Sequence, residues 1–77
     1  MNLVIGGNYT HYKNKHYKVI GIARHSETLE EMVIYEALYE NDLGKVWVRP
    51  LKMFLEVVDT GDYKGPRFRY VSPGDQT

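Results

Sequence analysis

The run His25-Ser26-Glu27-Thr28 sets an imidazole, a hydroxyl and a carboxylate side by side, the groups that a hydrolytic triad combines. Their adjacency argues against that chemistry. Successive residues of an extended chain point to opposite sides, so a Ser and a His in sequence rarely share a hydrogen bond. Ser26 also lacks the flanking glycines of a nucleophile elbow. Hydroxyls and a carboxylate in a short polar segment more simply satisfy the backbone N–H groups of a turn. Loop fixing is therefore the first expectation for this tetrad, ligand contact the second, and no residue is assigned a catalytic role.

A metal or catalytic site would need His11, His25 and Glu27 to converge, with His16 as a further imidazole. None of these residues stands at a recognised ligand spacing. The chain has no cysteine, which removes disulfides, thiolate zinc sites and cysteine nucleophiles. No metal and no cofactor is expected.

The aromatic residues are a better lead. Seven Tyr, two Phe and one Trp make 13% of the chain. Most should bury the ring and leave a polar tip at the surface. Tyr9, Tyr12, Tyr17, Tyr35, Tyr39, Trp47, Phe54, Phe68 and Tyr70 nevertheless exceed what a thin core can enclose, and a surplus should line a groove. Seventy-seven residues suffice for one domain, which buries roughly 60% of its unfolded surface.

The elements that must position these groups read as strands. Residues 8–13 form the first, closed by a two-residue turn at Asn14-Lys15. Residues 17–23 form the second, with Gly21 marking a bend or bulge. Residues 26–38 resemble a capped helix, but Met32-Val33-Ile34-Tyr35 is β-rich and the alternation continues through Tyr39, which predicts a third strand. Residues 45–49 alternate around Trp47 and end at Pro50. Residues 51–54 fit a single helical turn with Leu51 and Phe54 on one side, and residues 55–58 a fifth strand. The fold class is then all-β: a small five-stranded SH3-like barrel with a one-turn helix before the last strand and an extended C-terminal tail. The barrel core covers about residues 7–58. In the tail, residues 59–77, Arg67-Phe68-Arg69-Tyr70-Val71 alternates and is available as an edge strand, with residues 72–77 loose.

Tyr9-x-His11-Tyr12-Lys13, Ala23-x-His25-Ser26-Glu27-Thr28, Val33-x-Tyr35-x-Ala37-Leu38-Tyr39 and Val46-Trp47-Val48-Arg49-Pro50 together resemble a short bacterial family, domain of unknown function 1653. The likeness runs from about Gly7 to Val58, and Arg67-Phe68 is similar to the family's usual ending. One departure is Asn14, where members often carry Gly; both serve the same backbone need. The resemblance implies a stand-alone bacterial domain and supplies no activity.

Ten basic and ten acidic residues give zero net charge, which argues against binding to DNA or membranes by charge alone. The charges are blocked. Lys13, Lys15, Lys18 and Arg24 precede the first acid, and residues 26–44 hold six acids and no base. Neighbouring strands that pair these blocks explain the pattern; a dipolar surface with a basic patch is the functional alternative. No signal peptide is expected from residues 1–7, and no apolar run approaches the roughly 20 residues of a membrane span, so a cytoplasmic location is expected. The leading expectation is a non-catalytic binding module for a protein or peptide, monomeric or homodimeric. Its candidate contacts are His11, Lys13, His25, Ser26, Glu27, Thr28, Tyr39, Trp47 and Arg49, the last two as anchor and charged contact. The alternatives are single-stranded nucleic acid on the basic first hairpin, with Tyr12 or Tyr17 stacking on bases, and a metal or catalytic site on His11, His25 and Glu27.

Overall fold

The computed structural model describes residues 3–74. Its elements are β1 (Asn8–His11), β2 (Lys15–Arg24), β3 (Glu31–Ala37), β4 (Val46–Pro50), the helical turn α1 (Leu51–Phe54), β5 (Val57–Asp59), β6 (Lys64–Pro66) and β7 (Phe68–Ser72). β1 to β4 run as an antiparallel meander, and β7 returns to the free side of β1, giving the order β4-β3-β2-β1-β7. β5 and β6 form a separate two-stranded hairpin. The chain is thus mostly β, in antiparallel sheets, with one short helix.

The segment around Ile34 is extended, as its alternation predicts. Val33, Tyr35 and Ala37 are buried, while Met32, Ile34 and Glu36 between them are half-buried. The first turn differs from expectation. β1 ends at His11, which faces Lys15, so Tyr12, Lys13 and Asn14 form a three-residue loop. Asn14 takes a left-handed φ of 71° and its N–H donates to the His11 carbonyl at 2.7 Å. A three-residue hairpin loop commonly ends in such a left-handed residue, a role Asn fills with little strain. The bend anticipated at Gly21 is present, with a register shift between Val19 and Gly21.

The expected fifth strand over residues 55–58 does not join the main sheet. Its place is taken by the tail: β7 pairs with β1 through His11↔Phe68 and Thr10↔Arg69. Ser72, expected to be loose, ends β7 and accepts a hydrogen bond from Asn8 Nδ2 at 3.2 Å. Asp75, Gln76 and Thr77 lie outside the described residues.

A closed barrel is not formed, since no ladder joins the outer strands β4 and β7. The sheet curls instead. In a flat sheet four spacings of about 4.8 Å would hold β4 and β7 roughly 19 Å apart. Yet the Arg49 guanidinium on β4 lies 5.5 Å from the Phe68 ring centroid on β7, and Tyr35 on β3 stands 5.4 Å from the same ring. Bulges beside Gly21 and between Asn8 and Tyr9 supply the bending, because an extra residue on one strand increases local twist and curvature. Side chains, not hydrogen bonds, bridge the seam.

Tyr9, Val19, Val33, Tyr35, Leu51, Phe54 and Phe68 fill the hollow of this curl. Phe54, fully buried, stacks on Phe68 with centroids 4.0 Å apart, meets Tyr9 edge-on and lies against the tilted ring of Tyr35. Pro50 starts α1 and Leu51 and Phe54 are its buried residues, as their spacing requires. The charge blocks pair across the sheet. Lys18 faces Glu36 and Arg24 faces Glu31, the latter pair 4.0 Å apart, while Lys45 lies 3.4 Å from Glu36. Exposed pairs of this kind contribute about 0–1 kcal/mol each.

Candidate functional site

The tetrad fixes its own loop, and the imidazole does most of it. His25 Nδ1 accepts hydrogen bonds from the N–H groups of Glu27 (3.1 Å) and Thr28 (3.3 Å). Thr28 Oγ1 accepts from Glu30 N at 3.2 Å. His25 N donates to Glu30 O, Leu29 N donates to His25 O, and Arg24 Nη1 donates to Leu29 O at 3.0 Å. The imidazole plays the part an Asp or Asn carbonyl plays in an Asx turn. Leu29 pays in backbone strain, with φ at 66°. The Ser26 and Glu27 side chains stay exposed.

The other histidines are used in the same manner. His11 Nδ1 accepts from Lys13 N at 3.1 Å, and His16 Nδ1 shares a 3.0 Å hydrogen bond with Thr10 Oγ1. His11 and His25 sit at opposite ends of the ten-residue β2, roughly 30 Å of extended chain. The proposed convergence of His11, His25 and Glu27 therefore does not occur. Among the described residues no cluster of His, Asp and Glu is arranged to hold a metal ion.

Seven of the nine predicted contact residues fall into two groups, while Glu27 stays exposed on its loop and Thr28 lines a separate pocket with Leu51 and Leu55. At one end of the sheet lie His11, Lys13 and Tyr39. Burial, then Arg49, Arg67 and Lys13, lower the His11 pKa to about 4, so the ring is neutral at pH 7. The Tyr17 and Tyr39 hydroxyls share a 2.5 Å hydrogen bond, and Lys15 Nζ lies 5.0 Å from the Tyr39 ring. Burial first, and then the Tyr39 hydroxyl, raise the Tyr17 phenol above its ordinary range. Arg49 reaches toward this end across the hollow. Its Nε donates to the Tyr35 hydroxyl at 3.3 Å and its guanidinium lies over Phe68. The carboxylate of Glu36 on β3 is paired with Lys45 and not with Arg49.

At the other end, His25 and Ser26 border one shallow groove of about 460 Å³ on the outer face of β2, β3 and β4, floored by Ala23, Met32, Ile34, Val46 and Val48, with Trp47 in the strand between the two valines. Val46 and Val48 are 59% and 57% exposed. Trp47 faces inward opposite Tyr35 and packs against the core, and its buried Nε1 finds no acceptor among the described residues. The floor residues were not anticipated from sequence. The signal was there: Val46-Trp47-Val48 is apolar on both faces, where a strand with one solvated face would alternate apolar and polar.

Chemically the groove offers apolar area, a polar wall and an unpaired strand edge. Among the described residues no helix is long and apolar enough to cross a membrane.

Comparison with known proteins agrees with the resemblance noted in the sequence. No curated protein matches the chain. The chain is similar to a solved structure, the crystal structure of a DUF1653 protein from Bordetella bronchiseptica, with 40% identity and a TM-score of 0.82 over 94% of this chain and 92% of that one. The family described as "Protein of unknown function (DUF1653)" matches residues 7–70, and the chain belongs to that family.

Proposed function

We propose that this protein is a non-catalytic recognition module that binds a segment of another protein in the groove beside the His25-Ser26-Glu27-Thr28 loop. The observation that carries the reading is the apolar floor. Met32, Ile34, Val46 and Val48 cluster on the outward face of a sheet whose neighbouring outward positions are Lys18 and Glu36. An apolar patch rimmed by polar groups marks an interaction surface more often than a fold requirement. The His25 loop forms its wall, which gives the tetrad a role beyond a plain turn: it holds Ser26 at the groove's edge.

Panning a random peptide library, followed by calorimetric titration of the selected peptide, tests this. Val46→Lys places a charge on the floor at an exposed position, and binding is expected to be lost while the melting temperature is kept. A selected peptide that binds Val46→Lys as tightly as the parent chain would exclude the groove. Single-stranded nucleic acid on the first hairpin is the second reading. It is the weaker one, because Lys18 and Arg24 already face carboxylates on β3.

A further inference from the structure

The groove ends at β4, an edge of the sheet, and the register of β4 fixes which backbone groups that edge offers. Ala37 N donates to Lys45 O at 2.8 Å, so in this antiparallel pair the hydrogen-bonded partners are Ala37/Lys45, Tyr35/Trp47 and Val33/Arg49. The alternate residues, Val46 and Val48, direct their N–H and C=O groups away from β3. No strand of the described residues takes them up. The side chains of these same two residues stand on the groove floor. Their inward-facing neighbours are Trp47 and Arg49. Arg49 is half-buried, and no ion pair joins it to any carboxylate of the described residues.

We infer that β4 binds its partner by strand addition, taking an extended segment in which apolar residues alternate with acidic ones. This rests on the groove reading above and specifies its mode and the chemistry of the partner. An added strand continues the pleat, so every second side chain lies beside Val46 and Val48 on the apolar face. The intervening side chains fall on the face of Trp47 and Arg49, where a carboxylate pairs with the guanidinium. A second copy of this chain does not meet that requirement. The edges of its main sheet, β4 (VWVRP) and β7 (FRYVS), contain no Asp or Glu, and in the two-stranded hairpin β5 (VVD) carries a single Asp after two adjacent valines, without the alternation. The occupant is therefore a segment of a different protein.

The probe is an acetylated octapeptide of alternating Val and Glu, compared with one of alternating Val and Lys. Fluorescence titration is expected to show saturable binding of the Val/Glu peptide and at least about tenfold weaker binding of the Val/Lys peptide. Residues of a strand point their N–H groups alternately to its two edges, so N-methylation of one set of residues should abolish binding and methylation of the other should leave it intact. This arm leaves the protein unaltered. Val48→Pro removes an outward donor at an edge that tolerates proline, and it should lose binding with its circular dichroism spectrum unchanged. Equal binding of the two peptides, or equal effects of the two methylation patterns, overturns the inference. So does a concentration-dependent dimer in sedimentation that Val48→Pro dissolves, since the edge then serves a second copy. If a library-selected peptide is lost in Val46→Lys but kept in Val48→Pro, the groove stands and strand addition falls. If neither variant affects it, both fall.

Discussion

Replacing His25 separates scaffold from ligand contact in the tetrad. In His25→Ala, the N–H groups of Glu27 and Thr28 lose their acceptor at 3.1 and 3.3 Å. Both sit in an exposed loop where water can replace the ring, so each bond is worth about 0.5 kcal/mol, the low end for a net intramolecular hydrogen bond. The sum is about 1 kcal/mol, similar to loss of a helix N-cap. For a domain of this size that lowers Tm by roughly 4–8 °C. His25→Asn restores a carbonyl oxygen able to form an Asx turn, and its Tm should return to within about 3 °C of the parent, which corresponds to about 0.5 kcal/mol. Thermal melts of the three proteins by circular dichroism decide the matter. An alanine variant that melts with the parent, or an asparagine variant as unstable as alanine, refutes the imidazole as loop acceptor. Peptide binding measured on the asparagine variant then reports the ring's contact with ligand alone, since the loop is intact.

Phe54→Ala should cost about 3–5 kcal/mol in denaturant melts, because a fully buried ring stacked on Phe68 leaves a cavity; a loss below about 1.5 kcal/mol would mean that the core is not built around that pair. Leu29→Gly should raise stability by about 0.5–1 kcal/mol, since it relieves a left-handed φ of 66° at a side chain that is 61% exposed. Acidification should destabilise the fold through His11. Its folded pKa of about 4 lies below the 6.5 of an unperturbed histidine, so between those pH values the unfolded chain binds a proton that the folded chain refuses. The stabilisation is full above about pH 6.5, falls as the pH drops, and levels off below about 4. His11→Gln should lose that slope in urea melts taken across the range.

The strands and the helical turn were legible because each carries a local signal. β3 alternates through Val33, Tyr35 and Ala37, Gly21 marks the bulge, and Pro50 with Leu51 and Phe54 defines α1. The assignment of the fifth sheet position was not legible from local pattern. Residues 55–58 and 67–71 are both short and apolar-rich, and the choice between them rests on Phe68. Its ring fits the hollow against Phe54, Tyr17 and Tyr35, a contact set by tertiary packing over a long stretch of chain. The tetrad's loop-fixing role was legible in kind but not in agent: hydroxyls and the Glu27 carboxylate were the expected acceptors, whereas the His25 ring takes the N–H groups of Glu27 and Thr28 and the Thr28 hydroxyl takes that of Glu30. The groove floor was missed although Val46-Trp47-Val48 is apolar on both faces, because only the register of β4 on β3 decides which of these residues face outward.

The pairing of β7 with β1 carries a consequence for synthesis. On the ribosome the meander β1–β4 emerges first, with Tyr9, Tyr35 and Phe54 already available but with Phe68 still unmade. Until that residue is available the hollow lacks its central ring, and the tyrosines around it stay uncovered. Folding is therefore tied to a late, long-range zippering step, of the kind that makes small β domains slower to fold than helical ones of equal length.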